Sequence, residues 1–417
     1  RAYEIADILR GEGIPVFMGG VHVTYLPDEA LEHCDFVLRG EADETIVGFI
    51  RALERGIGFE EIQGLSYRRD GKIVHNSTPP FCEDLNVLPC PDFSVVRGLE
   101  DEPYKKLSIA PIMTSRGCPY DCHFCSVTGM FGQKYRFRSK ENVIKELRIH
   151  KESGGTWVFF YDDNFCANKN RTKELLREMI ACGLTPHWTA QVRVEIAKDQ
   201  ELLDLMVMSG CHTVYIGLES INPETLEAYN KKQSVEDITN CIRILHQKGI
   251  RIHGMFVLGS DQDTKHTIDE TVRFAKKNKL ESVQFLILTP LPGTKCYRDL
   301  EQEGRILTKD WSLYDAHHVV YEPKLMTSYE LQTLTFDAMK RFYSLWEAIK
   351  SITRFSLFHT GLKLYGYTTV KKFKRNSVHF VEFLRQYKAG TPFVMPPQKT
   401  AEDFRKKLHT HKNTSGK

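Results

Sequence analysis

Three cysteines in one short loop constrain this chain more than any other feature of its sequence. Cys118, Cys122 and Cys125 are separated by three and two residues, in the spacing CxxxCxxC. Eleven cysteines scattered at random over 417 residues would produce this spacing on the order of 0.01 times per chain. The pattern therefore indicates a shared chemical role rather than three unrelated buried thiols.

Thiolates at this spacing indicate a metal site. Structural zinc needs a fourth protein ligand, and His123 could supply one only through awkward local geometry. Three thiolates instead suit three irons of a cubane iron–sulfur cluster and leave the fourth iron without a protein ligand. An open metal position is where a small molecule can coordinate. The residues favour the cluster and leave zinc as the alternative.

Length and composition set the outer limits of the fold. A chain of 417 residues predicts two or three structural units, because one core rarely serves so many. The net charge of +3 is too small to indicate nucleic acid or a membrane by itself, and no apolar run is long enough for a transmembrane helix. With no secretory signal, the scattered remaining cysteines favour a reducing cytoplasm. A helical pattern is already under way at Arg1, so we expect the chain to lack its true beginning.

The first part of the chain alternates helices and strands. Residues 1–65 are predicted to be the C-terminal part of a Rossmann-like, doubly wound α/β domain, because this alternation indicates a parallel sheet. Residues 66–107 are predicted to be a linker that contains a β-hairpin, with Asp70 and Gly71 at its turn.

The middle of the chain repeats a strand–helix unit six times. Residues 108–300 therefore predict a partial (β/α)6 barrel of TIM type, in which active-site residues lie at the carboxyl ends of the strands. Residues 301–417 lose the repeat and are predicted to be mostly helical, with one long helix over 328–350 and a loose tail. The barrel strands are predicted at 109–114, 157–161, 188–192, 213–216, 251–257 and 282–288.

The cysteine stretch, Thr114 to Cys125, resembles that of the radical S-adenosylmethionine (SAM) superfamily. The loop also follows the first predicted barrel strand, as it does in that family. The resemblance implies a 4Fe–4S cluster on Cys118, Cys122 and Cys125, with the amino and carboxylate groups of SAM on the open iron. It also implies that one electron from the cluster cleaves SAM to methionine and a 5′-deoxyadenosyl radical.

Later strand ends resemble family motifs in the expected order. Carboxylate and amide oxygens after the second strand suit the SAM ammonium, Arg193 suits its carboxylate, and Glu219 with Ser220 suits the ribose hydroxyls. A helix N-cap at Asn164 and a surface arginine at 193 remain alternatives. The usual continuation after the fifth strand is replaced by residues 260–264. The resemblance implies SAM contacts by Phe124, Asp162, Asp163, Asn164, Gln191, Arg193, Glu219, Ser220 and Val257.

Two glycine turns near the N-terminus resemble the later half of the cobalamin-binding domain that precedes many radical SAM enzymes. Glycines let the backbone approach a bulky nucleotide tail, and a following helix N-terminus suits its phosphate. The family's cobalt-ligand motif would lie upstream of Arg1, so His22 is expected to be a loop or pocket histidine and not the cobalt ligand. The resemblance implies cobalamin contacts by Gly19, Gly20, Val21, His22, Gly40 and Glu41.

The favoured function is a radical SAM enzyme that performs cobalamin-dependent methylation, or rearrangement, of an unactivated carbon in a lipid or secondary metabolite. A flavodoxin or ferredoxin is the expected reductant. One alternative is a methylthiotransferase acting on tRNA or a ribosomal protein. That class has a cysteine-bearing N-terminal domain, and residues 1–100 do not match it. The other alternative is a zinc-stabilised interaction protein. The basic stretch Lys371 to Arg375 suits either an acidic or membrane-bound substrate or an ordinary solvated helix face.

Overall fold

The computed structural model describes residues 1–99, 109–353 and 357–387. In these ranges the chain forms a four-stranded sheet near its N-terminus, a six-stranded sheet, a two-stranded ribbon and a C-terminal set of helices. No described helix is both long enough and apolar enough to cross a membrane.

The N-terminal sheet is built from strands β1 (Phe17–Gly19), β2 (Phe36–Leu38), β3 (Leu65–Arg69) and β4 (Lys72–His75), in that order. Four helices accompany it: α1 (Ala2–Gly11), α2 (Val21–Tyr25), α3 (Pro27–His33) and α4 (Ile46–Arg55). The first two strands are parallel, as predicted, and β3 pairs with β2 in the antiparallel direction. Asp70 and Gly71 have φ of 51° and 76°, so the predicted hairpin turn is confirmed. The hairpin extends the N-terminal sheet instead of standing in a linker, because β3 continues the hydrogen-bonded ladder of β2.

The central sheet contains six parallel strands, and each strand lies beside the next one in the chain. They are β5 (Ala110–Ile112), β8 (Trp157–Phe160), β9 (His187–Val192), β10 (Cys211–Glu219), β11 (Arg251–Leu258) and β12 (Ser282–Ile287). All six predicted strands are confirmed, although β10 begins two residues earlier and runs three residues beyond its prediction. The helices among these strands are α5 (Val127–Phe131), α6 (Lys140–Glu152), α7 (Lys169–Ala181), α8 (Gln200–Met208), α9 (Pro223–Ala228), α10 (Val235–Gln247), α11 (Lys265–Lys277) and α12 (Lys295–Gln302).

The two faces of the central sheet differ in their surroundings. Alternate residues such as Phe160, Trp188 and Val214 are fully buried in the core that the sheet forms with its helices. The residues between them, such as Phe159 and Tyr215, are only partly buried. We call this second side the open face of the sheet.

The C-terminal region has four α-helices in the part that the structure describes: α13 (Ser328–Phe342), α14 (Leu345–Thr353), α15 (Leu357–Asn376) and α16 (Val378–Gln386). The predicted single helix over 328–350 is wrong, because the chain leaves helical geometry at Tyr343, with φ −100° and ψ 58°. The buried Tyr343 hydroxyl accepts a hydrogen bond from the Val283 N–H at 2.8 Å and donates one to the Val283 carbonyl at 2.7 Å. This tertiary anchor ends α13 and ties the C-terminal region to β12. The predicted tail after Pro397 lies outside the described residues.

We expect Tyr343→Phe to lower the free energy of unfolding by about 1–3 kcal/mol, because it leaves two buried backbone groups of Val283 without a partner. Urea denaturation measures the change. Tyr365→Phe is the matched control, since the Tyr365 side chain is exposed and removal of its hydroxyl leaves no buried group without a partner. Equal stabilities for the two variants would contradict this role for Tyr343.

Candidate active site

A two-stranded ribbon closes the base of the cysteine loop. Strands β6 (Ser115–Arg116) and β7 (Arg136–Phe137) pair in the antiparallel direction and enclose residues 117–135. Gly117, at the start of the loop, has φ 88°, and a Cβ there would lie 2.5 Å from the Lys134 carbonyl oxygen. Only glycine fits this close approach without strain. The backbone therefore turns sharply immediately before Cys118.

The three cysteines are free thiols, each partly buried, on this single loop. Burial raises the pKa of Cys118 above its ordinary value and that of Cys125 to about 12. Metal ligation requires thiolates, so binding a metal here releases protons. Among the described residues, no group of three or more His, Cys, Asp or Glu side chains is arranged to hold a single metal ion. Three thiols without a fourth protein donor fit a cubane cluster with one open iron.

His123 does not serve as a fourth ligand in this arrangement. Its imidazole Nε2 lies 2.7 Å from the carboxylate of Asp299, on α12. Its backbone is also fixed, because its N–H donates to the Tyr229 carbonyl at 3.2 Å and its carbonyl accepts from the Cys296 N–H at 3.1 Å. The structure thus directs the His123 ring toward α12, which weakens the zinc alternative.

Asp162, one of the predicted SAM contacts, holds the base of the cysteine loop. Its fully buried carboxylate accepts hydrogen bonds from the Thr114 N–H and hydroxyl, each at 3.1 Å, and from the Ser115 hydroxyl. Arg171 donates to the Thr114 hydroxyl at 2.7 Å from the other side. Burial nevertheless raises the pKa of Asp162. These contacts make Asp162 a positioning residue for the loop that follows Thr114.

Asp163, the next residue, turns to the surface at the same strand end. Although the residue as a whole is exposed, the protein around its carboxyl group limits hydration and, together with the adjacent Asp162, raises the pKa of Asp163 to about 6. Asp163 adjoins Asp162, whose carboxylate accepts hydrogen bonds from Thr114 and Ser115 at the base of the cysteine loop. A carboxylate in this position is suited to a bound ammonium group.

Asn164 and Gln191 lie beside this strand end. Asn164 is buried, and its backbone carbonyl accepts a hydrogen bond from the Tyr135 hydroxyl. Asn164 is not an N-cap of α7, since Asn168 caps that helix. The Gln191 carbonyl accepts from the Phe165 N–H at 2.9 Å, which joins β9 to the loop after β8.

Arg193 lies directly over the cysteine loop. Its guanidinium carbon is 3.8 Å from the centre of the Tyr120 ring, and its Nε lies 3.1 Å from the Glu195 carboxylate. The residue is only 7% exposed, so it is not a surface arginine. A buried guanidinium beside the cysteines is placed to bind an incoming carboxylate.

Glu219 ends β10 in a buried ion pair. Its carboxylate accepts a hydrogen bond from Lys231 Nζ at 2.7 Å, and both side chains are less than a tenth exposed. Glu219 has φ 59°, an unusual conformation for a residue with a side chain. The next residue, Ser220, uses its hydroxyl to accept from the Asn222 N–H at 3.0 Å.

The remaining predicted contacts lie on neighbouring elements. The Phe124 ring packs edge-on against Tyr229, with ring centres 5.0 Å apart. Val257 is buried in β11, just before the stretch that departs from the family pattern. There the buried Asp263 carboxylate accepts from the Gly259 N–H at 2.9 Å and the Ser260 N–H at 3.1 Å. The altered stretch is therefore held as a compact turn at the end of β11.

Two ion pairs, one fully buried and one partly buried, bring the carboxyl ends of the two sheets together. Glu41 and Asp43, which follow β2, meet two arginines from the cysteine-loop ribbon. Arg136 donates to both oxygens of Glu41, at 2.9 Å and 2.5 Å, and Arg116 donates to both oxygens of Asp43, at 2.5 Å and 3.1 Å. Both side chains of the Arg136–Glu41 pair are 2% exposed. The end of the N-terminal sheet is thus fixed beside the ribbon that carries the cysteine loop.

Tyr25, at the end of α2, makes a second contact across the same boundary. Its ring fills the space next to Gly129 and Gly293, where a Cβ on either glycine would collide with it. Gly293 belongs to the loop after β12 and Gly129 to the cysteine loop. The loops after β1, β2 and β12 therefore adjoin the cysteine loop.

The predicted cobalamin contacts occupy the same edge of the N-terminal sheet. Gly19 ends β1, and Gly20 has φ 103°. A Cβ added to Gly20 would meet no described atom within 4 Å, so the turn is open to a ligand. Val21 begins α2. His22 Nε2 lies 3.1 Å from the Tyr3 hydroxyl, and the Gly40 N–H donates to the Thr24 hydroxyl at 3.0 Å.

Comparison with known proteins matches residues 112–304 to the radical SAM superfamily model. An uncharacterized methyltransferase of Pyrococcus horikoshii is 34% identical over 350 residues, which span 82% of this chain and 75% of that protein. The bacteriochlorophyllide d C-12(1)-methyltransferase of Chlorobaculum tepidum is 32% identical, over 78% of this chain and 68% of that enzyme. This chain belongs to the radical SAM superfamily.

Two solved structures resemble the fold. The cobalamin-dependent SAM radical enzyme OxsB, with aqua-cobalamin and SAM bound, has a TM-score of 0.66 and 17% identity over 99% of this chain and 65% of its own. The radical SAM methyltransferase TsrM from Kitasatospora setae, with cobalamin and a 4Fe–4S cluster bound, has a TM-score of 0.63 and 20% identity over 74% of this chain and 62% of its own. The chain thus spans less than two thirds of either solved chain.

As a radical SAM protein, the chain is an enzyme whose cofactors are a 4Fe–4S cluster and SAM. The superfamily predicted from the cysteine motif is confirmed, and so is the α/β fold with six parallel strands. Neither a methylthiotransferase nor a zinc-stabilised interaction protein gains support from these relatives.

Several residues of the site were not predicted from the sequence. Lys231 lies 12 residues after Glu219, and Arg136 lies 95 residues after Glu41. Neither separation corresponds to a helix or strand spacing that would have predicted the pair. The open face of the sheet also carries Gln191, Tyr215 and His253 in one row of the strand register. The sequence signal for this row is the alternation of core-facing and outward-facing residues within each strand, which places these three side chains on the face opposite the core.

The ion pairs between the sheets generate a prediction. We expect Glu41→Gln to lower the free energy of unfolding by about 3–5 kcal/mol, because it leaves the buried charge of Arg136 without its partner. Adding Arg136→Met should restore part of the loss. Chemical denaturation of both variants and of the double variant measures the coupling.

Glu83→Gln is the matched control for this cycle. Glu83 pairs with Lys134, but both side chains are well exposed, 63% and 70%, so we expect no measurable change in stability. Strictly additive losses for Glu41→Gln and Arg136→Met would show that the two side chains do not act as a pair.

Proposed function

We propose that this chain belongs to a cobalamin-dependent radical SAM methyltransferase that acts on an unactivated carbon of a small molecule or lipid. The proposal depends on one observation: the carboxyl edge of the N-terminal sheet lies against that of the central sheet. Glu41 and Asp43, which follow β2, contact Arg136 and Arg116 of the ribbon that carries the cysteine loop. Ligands of open α/β sheets bind at such edges. A cofactor at the N-terminal sheet would therefore lie beside SAM.

The names of relatives support methylation as the reaction. Besides the two methyltransferases described above, a hopanoid C-2 methylase of Rhodopseudomonas palustris is 27% identical over 71% of this chain. A cytidylyl-2-hydroxyethylphosphonate methyltransferase of Streptomyces wedmorensis is 27% identical over 75% of it. These substrates share little chemistry with one another, so the proposal extends to the reaction and leaves the substrate as a small molecule or lipid.

Cys118, Cys122 and Cys125 would hold the 4Fe–4S cluster. When bound, the cluster and SAM supply the 5′-deoxyadenosyl radical and cobalamin supplies the methyl group. We assign Asp163 to the SAM ammonium, since it adjoins Asp162 at the base of the cysteine loop, and Arg193 to the SAM carboxylate, since its guanidinium lies over Tyr120 of that loop. The other residues proposed for the SAM site are Phe124, Asn164, Gln191, Glu219, Ser220 and Val257, with Asp162 as a positioning residue.

Backbone groups would form most of the cobalamin contacts. The turn at Gly20 is open, with no described atom within 4 Å of an added Cβ, and Gly19, Val21 and Gly40 are the other proposed contacts. His22 is held by Tyr3 at 3.1 Å and is not assigned to cobalt. Glu41 would act as a positioning residue, because its carboxylate is taken up by Arg136.

The open face of the central sheet would receive the substrate. Tyr215 lies between Gln191 and His253 in the register, and the Tyr215 and His253 rings are 4.7 Å apart. Burial lowers the pKa of His253 to about 4, so the imidazole is neutral at physiological pH. The Thr189 hydroxyl on this face is buried without a hydrogen-bond partner among the described residues. These uncharged groups favour a substrate portion that is uncharged and able to form hydrogen bonds.

The proposed enzyme also has an expected architecture and setting. The six-stranded sheet would curve as a partial TIM-type barrel over residues 108–300. A cobalamin-binding part over 1–65 and a segment over 66–107, whose hairpin extends the N-terminal sheet, would precede it, and the C-terminal region 301–417 would follow it. We place the enzyme in the cytoplasm, where a reduced flavodoxin or ferredoxin could supply the electron.

The cluster assignment is tested by substitution of one thiol. We expect anaerobically reconstituted protein to be brown and to cleave SAM on reduction, and Cys122→Ala to lose both properties, because two thiolates cannot hold three irons of a cubane. Iron content, visible absorbance and 5′-deoxyadenosine release are the measurements. Cys90→Ala, which removes a partly exposed thiol away from the loop, should leave all three unchanged. A Cys122→Ala variant that keeps its colour and activity would disprove the assignment.

The methylation proposal is tested by cobalamin binding to the full gene product. We expect the protein to retain cobalamin and His22→Ala to leave the absorption spectrum of the bound cofactor unchanged, because His22 is not a cobalt ligand. A spectral change in that variant would assign His22 to the metal. Failure of the intact protein to retain cobalamin under any condition would remove the methyltransferase proposal.

A further inference from the structure

Helices α14 and α15 expose an unusual share of large apolar side chains. On α14, Leu345, Trp346, Ile349 and Ile352 recur at positions i, i+1, i+4 and i+7, and their exposed fractions run from 48% to 63%. This spacing places them on one helix face. No described residue covers that face. Contiguous exposed apolar surface of this kind marks an interaction site.

The neighbouring helix, α15, continues this surface with aromatic and basic residues. Phe358, Tyr365 and Lys372 follow one another at seven-residue intervals, so they form one stripe along the helix. Phe358 is 46% exposed and Tyr365 71% exposed. Leu364 and Lys371 form a second exposed stripe beside the first. The solvent side of α15 is thus apolar in its first half and basic in its second half.

The charge on α15 has a single sign, and the one carboxylate of α14, Glu347, is paired with Lys276 and Lys350. Residues 357–376 contain no Asp or Glu, whereas an ordinary solvated helix face mixes both signs. A groove of about 710 Å³ runs along the basic half of α15 beside α13, with Lys340, Lys371, Lys374 and Arg375 in its walls and no carboxylate among its lining residues. The groove therefore favours an anionic occupant.

We propose that this surface, formed by the exposed sides of α14 and α15, docks the enzyme onto an anionic lipid membrane without crossing it. Trp and other apolar side chains beside Lys and Arg are the composition of helices that lie in the membrane interface. Basic residues close to a membrane are drawn to its anionic headgroups. Membrane docking of this kind depends on the helices alone and not on the methyltransferase proposal.

Other occupants complement this surface less well. Residues 388–417 of the chain carry more Lys and Arg than Asp and Glu, so their charge matches that of the basic half instead of opposing it. A second copy related by a two-fold axis would bring the same basic residues face to face. An acidic protein partner is the competing outcome that the experiment must separate from lipid.

The test is co-sedimentation of the protein with vesicles. We expect binding to phosphatidylcholine vesicles that contain phosphatidylglycerol, and little binding to phosphatidylcholine alone. Replacing Lys371, Lys372 and Arg375 by Gln should weaken binding to the anionic vesicles about 100-fold, since each basic residue near the surface contributes. High salt should also weaken the binding of the unaltered protein to anionic vesicles. Trp346→Ser with Ile349→Ser should weaken binding at every salt concentration.

Matched controls use the same residue types elsewhere. Ile57 is 69% exposed and Arg69 lies exposed beside the hairpin turn, so Ile57→Ser and Arg69→Gln should leave vesicle binding unchanged. Thermal unfolding and reductive SAM cleavage should be the same for all variants, which shows that a loss of vesicle binding is not a loss of folding or of the catalytic site. Vesicle binding that is absent, or equal in all variants, would overturn the proposal. Two other results would overturn it in favour of a protein interface. One is self-association in light scattering, and the other is capture of an acidic protein in place of vesicles, provided that the same variants abolish the effect.

Discussion

The buried ion pairs between the N-terminal sheet and the cysteine loop determine how the rest of the site is arranged. Burying a charge costs several kcal/mol, and a pair such as Arg136–Glu41 recovers that cost only when the two groups meet in good geometry. Such a pair therefore specifies a position more than it adds stability. With Arg116 and Asp43 beside it, the edge of β2 has one defined place next to the thiols. The glycine turns at Gly20 and Gly40 are brought there by the same constraint.

The cysteine loop, in turn, is supported from below. Asp162 fixes Thr114 and Ser115, and Gly117 allows the sharp turn that follows, so the thiols begin from a rigid base. Around this base the strand ends of the central sheet supply groups of opposite character. Asp163 offers a carboxylate and Arg193 a guanidinium, which are the partners that the two charged ends of an amino acid require. Arg193 already pairs with Glu195, so a carboxylate that arrived there would share the guanidinium with that side chain.

Local patterns in the sequence were enough for the strands, the hairpin turn and the cysteine motif, because each depends on neighbours within about ten residues. The features that were missed depend on distant partners. The helix ends after Phe342 because the Tyr343 hydroxyl bonds to the backbone of Val283. Helical periodicity does not register this contact and therefore predicted one helix over 328–350. The hairpin pairs with β2 through backbone hydrogen bonds, and nothing in the sequence of the hairpin predicts which strand it will pair with. Lys231 becomes part of the site only because the fold brings it to Glu219.

The position of α15 relates the proposed membrane surface to the active site. The helix is about 30 Å long, and Phe358 near its start contacts Arg251, at the beginning of β11. Phe373 near its end contacts His317, beside the Ala316 carbonyl that accepts from Ile287 at the end of β12. The basic half of α15 is therefore the half nearer the carboxyl ends of the strands. A membrane bound along this helix would therefore meet its apolar half near the amino ends of the strands and its basic half near their carboxyl ends.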